Sequence, residues 1–138
     1  MRFMILVKAS AQSEAGEMPD DALIARMIDY HDELARAGVL LDASGLKPTR
    51  DGWRIRYGSG TPRVIDGPFT ESKELVAGYT LIEVRSREEA LEWTRRFPNP
   101  GGDGAEVDIE VRPLFVPEDF GDSPALQRWH AEQRGGAA

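Results

Sequence analysis

The sequence predicts an α+β protein with a ferredoxin-like arrangement, in which an antiparallel sheet carries two main helices on one face and an extra hairpin is added. Three observations predict it. Short strand-like segments recur from the N-terminus to residue 112. Two segments with helical spacing, residues 20–38 and 86–97, separate groups of these strands. Neighbouring strands are mostly joined by short turns, which is typical of antiparallel pairing.

The composition fits one globular domain. The chain has 138 residues, of which 41% are hydrophobic and 30% are charged, an ordinary globular mixture. It has no cysteine, which excludes disulfides, thiolate metal ligands and a cysteine nucleophile. The apolar run at residues 3–7 is too short for a signal peptide or a membrane span. We therefore expect a cytoplasmic protein with no membrane contact, a domain over residues 1–116, and a tail over 117–138 that holds a short helix.

The net charge argues against a nucleic-acid partner. It is -7, whereas phosphates favour a basic surface. Four arginines do fall close together, namely Arg50, Arg54, Arg56 and Arg63. In a chain this acidic, a solvated strand face is the simpler interpretation of them.

The first half of the chain predicts a strand, a loop and a helix. Residues 3–8 are nearly all apolar, which is typical of a buried central strand, and the polar residues 11–18 predict a loop. Asp20 and Asp21 mark a helix start, because acidic side chains cap free amides and favour the positive end of the helix dipole. Gly38 marks its end. Apolar residues recur at spacings of three and four, which predicts one packed face: Leu23, Ile24, Met27, Ile28, Leu34 and Ala35.

The second half predicts the remaining strands and a second helix. The strand-like segments are residues 39–43, 53–57, 63–66, 77–84 and 107–112. Ser86 and Glu89 have the spacing of a capping box at the start of the second helix, and residues 124–133 predict a short helix in the tail. The face of the sheet away from the helices carries residues such as Trp53 and Tyr57, so a second copy of the chain is its expected cover.

The stretch DGPFTESKE, residues 66–74, holds the most chemistry. Gly67 and Pro68 predict a rigid turn that fixes the Asp66 carboxylate, and Phe69 offers apolar area to a pocket. Glu71 and Lys73 add charge that can orient a polar ligand. The alternative is a structural turn with surface ion pairs, and the residues alone leave both interpretations open.

His31 is the second candidate, because it falls on the apolar stripe of the first helix. Beside a carboxylate it would form an acid–base pair, and Asp66 is the obvious carboxylate. The alternative is a core histidine, or a helix-edge histidine next to Asp32; His130 in the tail carries less weight. No phosphate loop, dinucleotide fingerprint, zinc spacing or nucleophile elbow occurs, so we predict no cofactor and no metal.

The chain resembles the YCII-related family, in the branch of DGPF-domain proteins. The matching residues span most of the chain: residues 1–4, 33–34, 37–39, 45–46, 48, 66–71, 73–74, 78–79, 88–93, 98 and 111–113. The resemblance implies a ferredoxin-like subunit that dimerises through its sheet into a dimeric α+β barrel. Some enzymes of the wider family, including a chlorohydroxyquinol dehydrochlorinase, use a His–Asp pair. Asp66 matches that aspartate, whereas His31 lies about one turn after the family position, which falls near Met27.

Two classes of function follow. The first is a cofactor-independent enzyme of the lyase or dehydrochlorinase kind, acting on a small organic molecule. Asp66 and His31 would then be acid and base, with Phe69, Tyr79 and further ligand-binding residues around them: Glu71, Lys73 and Arg54. The second, implied by the resemblance, is a non-catalytic regulatory or accessory protein linked to an extracytoplasmic-function sigma factor. The enzyme interpretation requires His31 within hydrogen-bonding reach of Asp66, directly or through one water, whereas the binding interpretation predicts a pocket without an aligned acid–base pair.

Overall fold

A computed structural model describes residues 1–71 and 73–136 of the chain. The strands are β1 (Arg2–Lys8), β2 (Leu40–Gly45), β3 (Trp53–Arg56), β4 (Arg63–Asp66), β5 (Val76–Glu83) and β6 (Ile109–Pro113). The helices are α1 (Ala11–Glu14), α2 (Asp21–Arg36), α3 (Arg87–Arg95) and α4 (Pro124–Gly136), and 3₁₀ turns lie at Thr49–Asp51 and Pro117–Phe120. Ser72 of the DGPFTESKE stretch and the last two residues of the predicted tail lie outside the described residues.

Four strands form one sheet in the order β2-β5-β1-β6, and every neighbouring pair is antiparallel. Among the described residues, the other two strands, β3 and β4, pair only with each other as an inserted hairpin. The prediction that Trp53 and Tyr57 lie on the sheet face away from the helices is therefore wrong, because Trp53 belongs to this hairpin and Tyr57 directly follows β3. With α2 and α3 packed on one face of the sheet, this is the predicted ferredoxin-like α+β arrangement with an extra hairpin, and that prediction is confirmed.

The core lies between the sheet and the helices. Strand residues alternate between the two faces, so Phe3, Ile5 and Ile82 all point toward the helices and are buried. The rest of this core comes from α2, α3 and the residues that flank the strands: Tyr30, Leu34, Val39, Val84 and Ala90. The opposite face, which we call the open face, carries the alternate residues of each strand.

Helix α2 begins where predicted, but its buried stripe differs from the predicted one. The Asp20 carboxylate accepts a hydrogen bond from the Leu23 amide at 2.8 Å and caps the helix. Leu23, Tyr30 and Leu34 are the buried residues of α2. Ile28, predicted to pack, is 55% exposed, because each step along a helix turns about 100° and carries it away from the face of its neighbour Met27. Ala35, also predicted to pack, is exposed for the same reason.

Three other predictions need correction. Part of the predicted loop at residues 11–18 is helix α1, because Ser10 and Ser13 form a reciprocal capping box around its first turn. The Ser86 hydroxyl accepts from the Glu89 amide at 3.1 Å as predicted, but the Glu89 carboxylate accepts from the Arg85 amide at 3.0 Å instead of closing the box. The last strand, β6, begins at Ile109 and not at residue 107.

Tyr30 makes the stability of this core depend on pH in the alkaline range. Its hydroxyl donates to the Trp93 carbonyl at 2.7 Å. Burial raises the pKa of Tyr30 from 10.0 to about 12, against the opposing charge of Arg96 and with a smaller contribution from Glu33. The neutral form is therefore favoured in the folded chain, and its contribution to stability is complete below pH 10, the pKa of the unfolded chain.

We expect the free energy of unfolding to fall as pH rises from 10 toward 12, by at most about 3 kcal/mol from this group. Between pH 10 and 12, the free energy of unfolding should fall less steeply with pH for Tyr30→Phe than for wild type. Urea unfolding across the pH range measures it. Equal slopes for both proteins would show that other groups carry the alkaline loss.

Candidate functional site

A short hydrogen-bonded chain holds the DGPF loop, residues 66–69, against helix α1. The Gly67 amide donates to the Gly52 carbonyl at 3.0 Å, and the Phe69 amide donates to the Thr49 hydroxyl at 3.0 Å. That hydroxyl in turn donates to one oxygen of the Glu14 carboxylate at 2.6 Å, and the Thr49 amide donates to the other at 3.1 Å. The turn is therefore fixed by contacts with two other segments of the chain.

The structure brings together three of the predicted ligand-binding residues. The Arg54 guanidinium carbon lies 3.7 Å from the centre of the Phe69 ring, a cation–π distance. The same guanidinium lies 3.5 Å from the Glu71 carboxylate. Asp66 and Lys73 are both exposed. Arg54 is thus already paired with an aromatic ring and a carboxylate on the surface of the hairpin.

His31 lies on the helix side of the sheet and bonds two other residues. Its Nδ1 lies 2.7 Å from the Met27 carbonyl oxygen, which only accepts, so Nδ1 carries the proton. In the neutral ring Nε2 then accepts from the Thr80 hydroxyl at 2.8 Å, a buried group that is 2% exposed. The ring nitrogens are therefore engaged by Met27 and Thr80 rather than directly by Asp66. Catalysis by His31 and Asp66 stays a prediction.

Tyr79 forms a polar pair on the open face of the sheet. Its hydroxyl donates to the Asp42 Oδ2 at 2.7 Å, and the Ala43 amide donates to the other oxygen of the same carboxylate at 2.9 Å. The cross-strand register sets three half-buried apolar residues around Tyr79 on this face: Met4, Leu6 and Leu81. A hydroxyl–carboxylate pair amid apolar area can orient a ligand and relay a proton.

The hydrogen bond to Asp42 raises the pKa of Tyr79, and the hydroxyl of Ser44 opposes it by lowering that pKa. We expect Asp42→Asn to lower the pKa of the Tyr79 hydroxyl, because the anionic acceptor that favours the protonated form is lost. Ser44→Ala is the matched variant and should move the pKa in the opposite direction. A pH titration of the assigned Tyr79 ring resonances measures both. Shifts of the same sign in the two variants would contradict this account.

The residues that hold these groups were missed by sequence reasoning. Asp42 interrupts the apolar strand that follows α2, and Thr80 is a hydroxyl residue in the alternating strand β5; a polar residue inside a strand pattern was the available signal for each. Thr49 and Glu14 gave no such signal, because their contacts with the DGPF loop join segments far apart in the chain.

The described residues contain neither a metal-binding cluster nor a membrane-spanning helix. Over residues 1–71 and 73–136, no group of three or more histidine, aspartate or glutamate side chains is arranged to hold a metal ion. Within the same described residues, no helix has the length and apolar character needed to cross a membrane.

The fold and the fixed loop define a ferredoxin-like α+β domain with an inserted hairpin. A family model described as the YCII-related domain matches residues 1–114, and the chain belongs to the YCII-related family. This confirms the predicted family. An uncharacterised protein of Rhizobium meliloti (strain 1021) is 31% identical over 107 residues, which cover 78% of this chain and 85% of that protein.

A solved structure is also similar to this chain. It is a 5-chloro-2-hydroxyhydroquinone dehydrochlorinase from Burkholderia phenoliruptrix AC1100 in complex with 2,5-dihydroxybenzoquinone. The alignment has a TM-score of 0.44 and 16% sequence identity, and it covers 83% of this chain and 94% of that chain.

Proposed function

We propose that this protein is a cytoplasmic homodimer that binds a small organic ligand over the open face of its sheet and acts on it by acid–base chemistry without a cofactor. The observation that carries the proposal is the 2.7 Å hydrogen bond between the Tyr79 hydroxyl and the Asp42 carboxylate on that face. Membership of the YCII-related family agrees with a compact single-domain subunit of this kind.

The open face supports both the dimer and the ligand site. Met4, Leu6 and Leu81 are only half-buried there, although a sheet gains stability when such side chains are removed from water. A second copy that covers this face leaves Tyr79 and Asp42 at a sheltered surface between the subunits. Ligand sites commonly combine apolar walls with a few oriented polar groups.

The proposed chemistry is proton removal from a hydroxyl of the ligand. The Tyr79 proton points to Asp42, so the lone pairs of the Tyr79 oxygen are available to accept a hydrogen bond. As the ligand hydroxyl transfers its proton to Tyr79, Tyr79 passes its own proton to the Asp42 carboxylate. The negative charge moves from Asp42 to the ligand oxygen, and the number of protons is conserved.

The predicted pair of His31 and Asp66 is a separate part of this proposal. The Nδ1 hydrogen bond to Met27 sets the His31 tautomer with a basic Nε2, which suits a general base. The Thr80 hydroxyl is bonded to that nitrogen at 2.8 Å, and both residues lie on the helix side of the sheet, away from the open face. His31 and Asp66 would therefore act at a position separate from the Tyr79–Asp42 pair, with the exposed Asp66 beside Phe69.

The proposal is tested by native mass spectrometry and by calorimetric titration with a panel of small hydroxylated aromatic acids and quinones. We expect a dimer, and we expect a bound compound to be lost in Tyr79→Phe and in Asp42→Asn. Tyr57→Phe is the matched control, because it removes the same hydroxyl from an exposed tyrosine outside the open face. His31→Gln and Asp66→Asn test the predicted pair in parallel. A monomer, or equal binding by wild type and both open-face variants, would refute the assignment.

The second candidate is a non-catalytic accessory protein with a sigma-factor-linked partner. The observation that favours it is the exposure of apolar residues on the hairpin, where Trp53 and Val64 are each 65% exposed. Such residues are typical of docking surfaces. Purification of the tagged full-length chain from its own cells, with Trp53→Ser as control, would separate this candidate from the first.

A further inference from the structure

Two exposed surfaces of the chain are complementary in both apolar character and charge. The first is the hairpin surface, formed by β3 and β4. Its apolar residues, Trp53, Ile55 and Val64, lie on one face together with Asp66, and its basic residues, Arg54, Arg56 and Arg63, lie on the other face. The second is the tail segment, residues 115–122. Its apolar residues are Phe115, Val116 and Phe120, and its acidic residues are Glu118, Asp119 and Asp122.

No third layer from the described part of the chain covers the apolar face of the hairpin. A two-stranded ribbon is at best marginally stable alone, and a third layer normally covers its apolar face. Trp53 and Val64 remain 65% exposed in the chain. On the other face Arg56 lies directly opposite Arg63, and like charges in that position destabilise a strand pair. A partner surface that is both apolar and acidic would cover Trp53 and Val64 and would also offset the repulsion between Arg56 and Arg63.

The tail segment has the matching features. Phe115 is 72% exposed and Phe120 is 51% exposed, with their ring centres 4.9 Å apart. Glu118 and Asp122 are exposed beside them. Two neighbouring strands lie only about 5 Å apart, so the side chains of Arg56 and Arg63 are long enough to reach round the hairpin edges to carboxylates on its apolar side. Arg54 is held by Phe69 and Glu71 instead.

The two surfaces do not cover each other within one chain, because both remain exposed. The topology explains why. The segment after the hairpin enters β5 at Val76, opposite Lys8 at the end of β1, whereas the tail leaves β6 at Pro113, opposite Phe3 near the start of β1. Phe3 and Lys8 are five residues apart along β1, so these ends are separated by roughly 17 Å. The hairpin follows the edge strand β2, and the tail follows the other edge strand, β6.

We propose that in the homodimer the hairpin surface of each copy docks on the tail segment of the other copy. The occupant is a second copy because this chain supplies both the acidic, aromatic surface and its basic, aromatic counterpart. A twofold axis generates the contact twice, as closed dimers require. This inference rests on the proposed dimer and adds the residues that secure it outside the open face.

The test uses the absence of native cysteine in the chain. A full-length Val64→Cys chain is mixed with a full-length Phe115→Cys chain and oxidised. We expect a mixed disulfide dimer as the main product. The control replaces Phe115→Cys by Arg87→Cys, an exposed position at the start of α3, and should give mainly uncrosslinked chain. A mixed yield no higher than the control overturns the inference.

A charge exchange provides the second measurement. In sedimentation experiments without any introduced cysteine, the Arg56→Glu and Arg63→Glu double variant should have a dimer Kd about tenfold or more above that of wild type. Adding Glu118→Lys and Asp122→Lys to the same chain should recover most of that loss. A wild-type dimer whose Kd is unchanged by the reversal refutes the hairpin–tail contact and leaves the proposed open-face dimer standing. A wild-type monomer refutes both.

Discussion

Leu34→Ala is expected to lower the free energy of unfolding by about 3–4 kcal/mol. Leu34 has no exposed surface and lies in the cluster between the sheet and α2 and α3. Truncation removes apolar burial and leaves a cavity that the neighbours fill only in part, and both effects add. Urea unfolding followed by tryptophan fluorescence measures the change, and the transition should remain cooperative.

The matched control is Ile28→Ala on the same helix. Ile28 is 55% exposed, so the loss should stay below about 1 kcal/mol. The regular spacing of apolar residues in the sequence assigned both residues to the packed face, and only the structure separates them. Equal losses in the two variants would mean that Ile28 is covered in solution, for example by a second chain.

The case of Tyr30 shows why the helix was predictable and its contact face only in part. Start, end and amphipathic character depend on local signals such as the Asp20 cap and Gly38, which the sequence contains. The direction of the face depends on where the sheet lies. Tyr30 is buried in the core, and its hydroxyl donates a hydrogen bond to the Trp93 backbone carbonyl of α3. This contact spans 63 residues, and no local pattern contains it.

The same limit applies to the candidate site. The DGPF stretch predicts a rigid turn. In the structure Arg54, one of the predicted ligand-binding residues, contacts both Phe69 and Glu71. The pairing of Tyr79 with Asp42 depends on the register of β2 against β5, in which Asp42 lies opposite Leu81 and Ser44 opposite Tyr79. A bulge between residues 40 and 42 sets that register. Bulges of this kind have no reliable sequence signal in a single chain.

The aromatic residues of the hairpin and tail were the least interpretable part of the sequence. Trp53 and Ile55 alternate with arginines, which predicts a half-buried strand. The structure leaves all four residues of that strand exposed, and the hairpin pairs with no other strand among the described residues. A strand pattern specifies that one face is buried, but it does not specify whether the cover comes from the same chain or from another.

Gly67→Ala is expected to destabilise the fold by about 3 kcal/mol, at the upper end of the usual cost of overpacking. A Cβ at this position would lie 1.8 Å from the Thr49 carbonyl oxygen and 2.6 Å from its carbon. Both are backbone atoms of a 3₁₀ turn, so no side-chain rotation relieves the clash. The DGPF loop must move away from Thr49, and the hydrogen bond from the Phe69 amide to the Thr49 hydroxyl is lost with it.

Gly58→Ala is the control, because a Cβ there meets no atom within 4 Å and the unfolding free energy should change by less than about 0.5 kcal/mol. Urea unfolding of both variants gives the difference. The amide resonance of Phe69 reports the loop itself, and its protection from hydrogen exchange should fall in Gly67→Ala alone. If both variants were as stable as wild type with Phe69 still protected, Gly67 would not be the close contact that ties this loop to Thr49 and Glu14.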